Sequence, residues 1–187
     1  MVLDENGAGA RLGISRGTDP RRTPVKVLGV CGSLQAKSAN LSLLLLAATK
    51  MPAGVELVFF DGLRDLPPFN PDLEPSDVPA VAAWRRALAV SDALLIASPE
   101  YGFSLPGALK NAIDWVIGTG ELEGKVVGVT ASTPGPAERG RRGLLALTDT
   151  LAAVSAKIVG GEPIVRGPAF ERELGQLIAA LVAKARE

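Results

Sequence analysis

The sequence predicts a doubly wound α/β domain, a parallel five-stranded sheet with helices on both faces. Three observations predict it. Short apolar runs of strand length alternate with stretches of helical periodicity. The runs are continuously apolar, as strands covered on both faces require. Each run is followed by a helix, so β-α-β is the repeating unit, and right-handed crossovers then make the sheet parallel.

In chain order, Val25–Val30 and Val55–Phe60 are rich in β-branched and aromatic residues and mark the first two strands. Between them Leu41, Leu44, Leu45 and Ala48 fall at i, i+3, i+4 and i+7, one face of a helix. A helix over about Val78–Val90 precedes the third strand, Asp92–Ser98. Next comes the clearest helix, in which Leu105, Ala108, Leu109, Ala112, Ile113 and Val116 make one stripe and Lys110, Asn111 and Asp114 lie off it. The fourth strand is "KVVGVTAS", a helix spans about Glu138–Val154, and "AKIVG" is the fifth strand. Leu174, Leu177, Ile178 and Leu181 mark the last helix. For five strands of this class the common solution is a flavodoxin-like three-layer sandwich of order 2-1-3-4-5, with ligands at the carboxyl ends of the strands. That selects the turns after strands one, three and four.

The 187 residues suit one domain, with residues 1–22 expected as a flexible N-terminal tail and 23–187 as the folded unit. Twenty basic and twenty acidic residues cancel, so no net field draws the chain to nucleic acid or an anionic membrane. "LSLLLLAA" is far shorter than the roughly 20 residues that span a bilayer. A single cysteine, Cys31, excludes an internal disulfide framework and suits a reducing compartment. The tail lacks an apolar core of the secretory kind. A cytoplasmic protein is the expectation.

After strand one, Gly32 permits a tight turn, and Ser33, Ser38 and Asn40 offer hydroxyl and amide groups ahead of the leucine-rich helix. N–H groups at a helix start lack internal partners and carry partial positive charge, so this turn suits a phosphate; Ser38 or Asn40 acting simply as a helix cap explains the same residues. Neither the dinucleotide-binding G-x-G-x-x-G nor the P-loop pattern is present. A rival reading uses Cys31, separated by five residues from Lys37-Ser38, which resembles the phosphate loop of low-molecular-weight tyrosine phosphatases. Lysine in place of arginine cannot fork onto a phosphoryl group, and the one Asp-Pro pair, Asp19-Pro20, falls in the tail.

The turn after strand three, "SPEYGFSLPGALKNAIDW", carries more chemistry than a connector needs. Pro99 stiffens it, Tyr101 and Phe103 supply flat surfaces, Gly102 lets backbone approach a ring, and Ser104 with Pro106 is expected to start the next helix. Aromatic residues make up only 4% of the chain, so two within three positions on a polar turn point to a planar ligand. A phosphate at one turn and a flat ring at its neighbour describe flavin mononucleotide (FMN).

These two segments, with "LPPFNPDLE" after strand two, resemble the NADPH-dependent FMN reductase family, whose members include quinone, chromate and azo-dye reductases. The resemblance runs from about Val25 to Glu187. It implies that Ser33, Gln35, Ser38, Ala39 and Asn40 hold the FMN phosphate. It implies also that Pro99, Glu100, Tyr101, Gly102 and Phe103 line the isoalloxazine and that Ser132 and Thr133, after strand four, close its other side. NADPH or NADH would be the reductant, and a flavin, quinone, azo compound or metal oxyanion the acceptor. A homodimer or homotetramer is implied too. Two departures from the pattern stand out: Gln35 where many members carry Arg or Lys, and Gly102 where Asn is frequent.

The chain has no histidine, which removes the commonest general base and metal ligand. Flavin-centred hydride transfer needs neither, and no catalytic side chain and no metal ligand is expected. Glu100 is expected to matter through its backbone more than its carboxylate. Arg139, Arg141 and Arg142 offer a 2′-phosphate contact or a solvated charge cluster. An FMN electron carrier of the flavodoxin kind is the alternative function; such carriers are strongly acidic, and the balanced charge of this chain argues against it.

Overall fold

The computed structural model describes residues 24–136 and 138–187; the expected tail, with Asp19-Pro20, lies outside them. Five strands, β1 (Val25–Cys31), β2 (Val55–Phe60), β3 (Ala93–Ala97), β4 (Val126–Thr133) and β5 (Lys157–Val165), form one sheet in the order β2-β1-β3-β4-β5. All four pairings are parallel. The flavodoxin-like order read from the sequence is therefore the order found. β3, in the centre, is buried along its whole length, which its unbroken "ALLIA" permits.

Helices α1 (Ala39–Thr49) and α5 (Phe170–Ala185) cover one face of the sheet, and α2 (Pro79–Ala89), α3 (Gly107–Asp114) and α4 (Arg141–Ala153) the other. The core is accordingly double. Leu43, Leu44, Leu174, Ile178 and Leu181 pack on Val27, Ala93 and Leu95 on one side. Trp84, Leu88, Leu109, Ile113, Leu144 and Leu147 pack on Leu28, Leu94, Ile96 and Val127 on the other.

Four local features differ from expectation. The buried face of α1 is Leu43, Leu44 and Ala47, and Leu45 is 53% exposed; a nearly uniform leucine run carries no periodic signal to orient it. α3 starts at Gly107 with Pro106 at its N-cap, so Ser104 is not the cap. Instead Tyr101 and Ser104 exchange both backbone hydrogen bonds at 3.0 Å, closing a tight turn before the helix. β5 continues past Gly160 to Val165. Gly160 and Gly161, at φ 83° and 100°, make a bulge that shifts its register against β4 between Val129 and Thr130. α4 begins at Arg141, not near Glu138, because Gly140 at φ 95° turns the chain there.

The connection from β2 to α2 is long, with two 3-10 turns at Gly62–Asp65 and Pro75–Asp77. It is pinned to α3: the Asn111 amide accepts from Phe69 N–H at 2.7 Å and donates to Pro67 O at 2.9 Å, and Trp115 Nε1 donates to the same carbonyl at 2.8 Å. The Phe69 ring meets Trp115 edge-on at 5.3 Å. Asn111 and Trp115 of "KNAIDW" thus serve the scaffold.

Candidate functional site

The parallel sheet brings the turns after β1, β3 and β4 to one rim. Cys31 pairs with Ala97 at the end of β1 and β3, and Gly32 N–H and Ser98 N–H continue the ladder to Ala97 O and Thr130 O, each at 2.9 Å. At Gly32 a Cβ would lie 2.7 Å from Ser98 Oγ and 3.1 Å from Leu109, so glycine is what lets the first and third turns touch. Ser33 Oγ and Tyr101 OH then meet across them at 3.5 Å.

In the first turn Ser38 is the α1 N-cap, its Oγ accepting from Asn40 N–H at 3.2 Å. The N–H groups of the first helical turn have no intrahelical acceptor, and Ala39, just ahead of Asn40, is the first of them. Ser33 Oγ accepts from Gln35 N–H at 3.2 Å, which folds the turn back on itself. Asn40 is only 4% exposed, and its side-chain oxygen accepts from Ser132 N–H at 2.8 Å. Its amide ties α1 to β4, a structural role that a sequence reading centred on phosphate does not anticipate. The Cys31 thiol donates toward Ser33 O and Ser38 Oγ at 3.5 and 3.8 Å, and Lys37 is exposed.

In the third turn Gly102 and Phe103 have φ values of 57° and 62°, the positive pair of a type I′ turn. This explains why glycine or asparagine suits position 102: both tolerate the left-handed region. A Cβ at Gly102 would meet nothing within 4 Å, so conformation, not space, selects it. Phe103 pays about 1–2 kcal/mol to sit there. Its ring is 68% exposed and that of Tyr101 54%. The turn occupies the N–H groups of Tyr101 and Ser104; among the described residues those of Glu100, Gly102 and Phe103 donate to no protein oxygen.

Ser132 and Thr133 belong to β4 itself, paired with Ile164 and Val165, and do not follow the strand as expected. They line a cleft of 310 Å³ with Pro99, Glu100, Pro134 and Arg139. On the other side of the first turn Ser33 and Gln35 line a second depression of 180 Å³, bounded by Phe59, Phe60 and Arg64. Ser33 lines the second depression, and Tyr101, which it meets, directly follows Glu100 of the cleft in sequence. The predicted residues therefore share one rim, but only Ser33 and Gln35 line one depression and Pro99, Glu100, Ser132 and Thr133 the other; Ser38, Ala39, Asn40, Tyr101, Gly102 and Phe103 line neither.

Four cations of this rim have distinct situations. Arg141 binds Glu162 at 2.9 Å, and the Arg142 guanidinium lies 4.5 Å over the Phe103 ring. Arg139, on the cleft, makes no ion pair among the described residues, nor does Arg64. The sequence singled out Arg139 only as one of a cluster, and Arg64 carried no signal at all. Its place beside the first turn depends on the 3-10 turn after β2.

The family model described as NADPH-dependent FMN reductase matches residues 25–168, a span that holds all three turns. The chain belongs to this family. An NAD(P)H-dependent FMN reductase of Pseudomonas aeruginosa is 41% identical over 92 residues, 49% of this chain and 49% of that protein. The chain spans about half the length of the first such curated relatives that it matches. A quinone reductase of Escherichia coli is 30% identical over 146 residues, 73% of this chain and 78% of that protein. Among solved structures, the flavoenzyme NAD(P)H:(acceptor) oxidoreductase FerB from Paracoccus denitrificans superposes with a TM-score of 0.76 at 26% identity. That superposition covers 87% of this chain and 97% of FerB.

The residues present fit a flavin mononucleotide. The capped start of α1 with its serine hydroxyls suits a dianionic group. The open N–H groups of the third turn and the half-exposed Tyr101 and Phe103 rings suit a planar heterocycle with acceptor atoms along one edge.

Proposed function

We propose that this chain is an NAD(P)H-dependent flavin oxidoreductase that binds FMN on the carboxyl rim of its sheet and reduces small-molecule acceptors of the quinone and flavin type. The observation that carries the reading is the meeting of an anion-suited turn and an aromatic, donor-rich turn at the Ser33–Tyr101 contact beside a 310 Å³ cleft. The names of its relatives support it.

Bound FMN would supply the redox chemistry, accepting hydride from NAD(P)H and passing electrons to the acceptor. Ser33, Ser38, Gln35 and the Ala39 N–H would hold the phosphate, with Arg64, which makes no ion pair among the described residues, lining the depression on that side. The N–H groups of Gly102 and Phe103, fixed by the turn before any ligand arrives, would donate to the acceptor edge of the ring, and such preset donors need no reorganisation during reaction. Pro99 and the β4 end at Ser132 and Thr133 would border the ring and exclude water from that side. Arg139 would face charge developing there.

The exposed rings of Tyr101 and Phe103 and the exposed Leu145 of α4 make this rim the natural contact in a homodimer or homotetramer. No helix among the described residues is long and apolar enough to cross a membrane, and a single cysteine in the sequence supports a reducing compartment such as the cytoplasm. Steady-state oxidation of NADPH by the FMN-loaded chain, with a benzoquinone as acceptor, tests the reading. Turnover that depends on both partners is expected. FMN binding without turnover would instead favour an electron carrier.

A further inference from the structure

Glu100 sits in the middle of the ring-binding segment, yet its carboxylate is engaged elsewhere. Glu100 Oε2 accepts a hydrogen bond from Gly143 N–H at 2.8 Å. Gly143 is the third residue of α4, whose N-cap, Gly140, has no side chain to offer; no acidic residue stands in the helix's own first turn. The helix start is thus capped from outside, by a carboxylate of the neighbouring turn, in the place where negative charge is favoured.

Packing enforces the same contact. A Cβ at Gly143 would lie 2.9 Å from Glu100 Cα and Cβ and 3.0 Å from Ser104 O, so only glycine lets α4 approach the third turn so closely. The neighbouring residue, Arg142, stacks on Phe103 at 4.5 Å. Two adjacent residues of α4 therefore clamp both ends of the Glu100–Phe103 turn. Glu100 and Gly140, the residue that starts α4, both line the 310 Å³ cleft, and the clamp ties together the two segments that carry them.

We infer that Glu100 is a positioning residue: its carboxylate caps α4 beside the cleft and holds the cleft's shape without touching the ring. The inference rests on the FMN reading and specifies how that site is held. It makes Glu100 matter through its side chain, in contrast to the expectation from sequence.

The test compares FMN and riboflavin, which share the ring but not the phosphate, by quenching of flavin fluorescence in the full chain. Glu100→Ala is expected to weaken both flavins by the same factor, about tenfold, since a hydrogen bond to a charged group is lost on the ring side alone. Glu100→Gln keeps an acceptor and is expected to bind both within about threefold of the unaltered chain. Amide exchange at Gly143 is expected to rise about tenfold in Glu100→Ala and less in Glu100→Gln. Should the alanine variant not fold, the glutamine variant carries the test through its exchange rate and its unchanged FMN-to-riboflavin ratio. Unaltered flavin affinity in Glu100→Ala, unequal losses for the two flavins, or equal damage from both substitutions with Gly143 exchange unmoved would overturn the inference. A chain that binds neither flavin before any substitution would overturn the functional reading itself, a separate result.

Discussion

The two rims of the sheet are built by the same β-α-β construction and treat their polar groups in opposite ways. At the amino rim they pair with one another. Lys125 Nζ donates to Leu88 O at 3.1 Å and Ser91 O at 2.6 Å, which stoppers the carboxyl end of α2. Glu121 accepts from Arg85 at 2.6 Å and from Thr119. At the carboxyl rim, two aromatic rings stay exposed and N–H groups at Gly102 and Phe103 donate to no protein oxygen among the described residues. Backbone strain does not separate the rims, since Ser155 at the amino rim has φ 57° beside the 62° of Phe103; open donors do, and a buried or fixed donor left without a protein partner asks for a ligand. The lesson is that a binding rim is marked by polar capacity left open, and a structural rim by capacity closed.

The largest expected effect breaks the carboxyl rim at its tightest point. Gly32→Val would push the first and third turns apart, because even a methyl there stands 2.7 Å from Ser98 Oγ. Overpacking of this kind costs about 1–3 kcal/mol, and loss of measurable FMN binding, read by fluorescence titration, is expected with a lowered denaturant midpoint.

Next in size, Ser38→Ala removes the α1 cap. It should cost about 1 kcal/mol in chemical denaturation. FMN affinity should fall about tenfold while riboflavin affinity holds, since the loss is on the phosphate side.

The amino rim should respond in stability alone. Lys125→Met strands two carbonyls and is expected to lower unfolding free energy by about 1–2 kcal/mol with FMN affinity unchanged. Burial holds the Lys125 ammonium below the usual lysine range, against the pull of Asp92 and Glu121. Part of the loss is therefore offset by relief of that desolvation.

The smallest effect is a pH dependence at the same rim. Burial alone would raise the Glu121 carboxyl, but hydrogen bonds from Thr119 and Arg85 together hold it below the ordinary glutamate value. Its stabilisation is thus present above the unfolded pKa and lost as pH falls through the folded one. Glu121→Gln should lower stability by about 1 kcal/mol near neutrality and flatten the acid limb of the stability profile. Flavin affinity at neutral pH should not move.

Much of the fold was legible in the sequence because strand runs and helical stripes report burial directly. The continuous "ALLIA" of β3 and the stripe of α3 are examples. Where the pattern was uniform it failed: in α1 the leucines at 41, 43, 44, 45 and 46 leave the buried face undetermined. Gly160, read as the last residue of the fifth strand, proved with Gly161 to form a bulge inside it, since a glycine marks a strand's end and a bulge alike.

The site was legible as a set of turns, because topology alone brings them to one rim. Partner choice was not. Asn40 pairs with Ser132 across 92 positions, and Glu100 with Gly143 across 43. Such long-range contacts leave no mark in local spacing. The place of Arg64 likewise depends on an irregular connection.

The contrast between the rims is tested most directly by amide hydrogen exchange of the full chain with and without saturating FMN. The account predicts slowed exchange in the turns after β1, β3 and β4, at Ser33–Leu41, Glu100–Ser104 and Thr133–Gly135, with Lys125 and Ser155 at the amino rim unaffected. Protection at the amino rim, or no protection at the three turns, would contradict it.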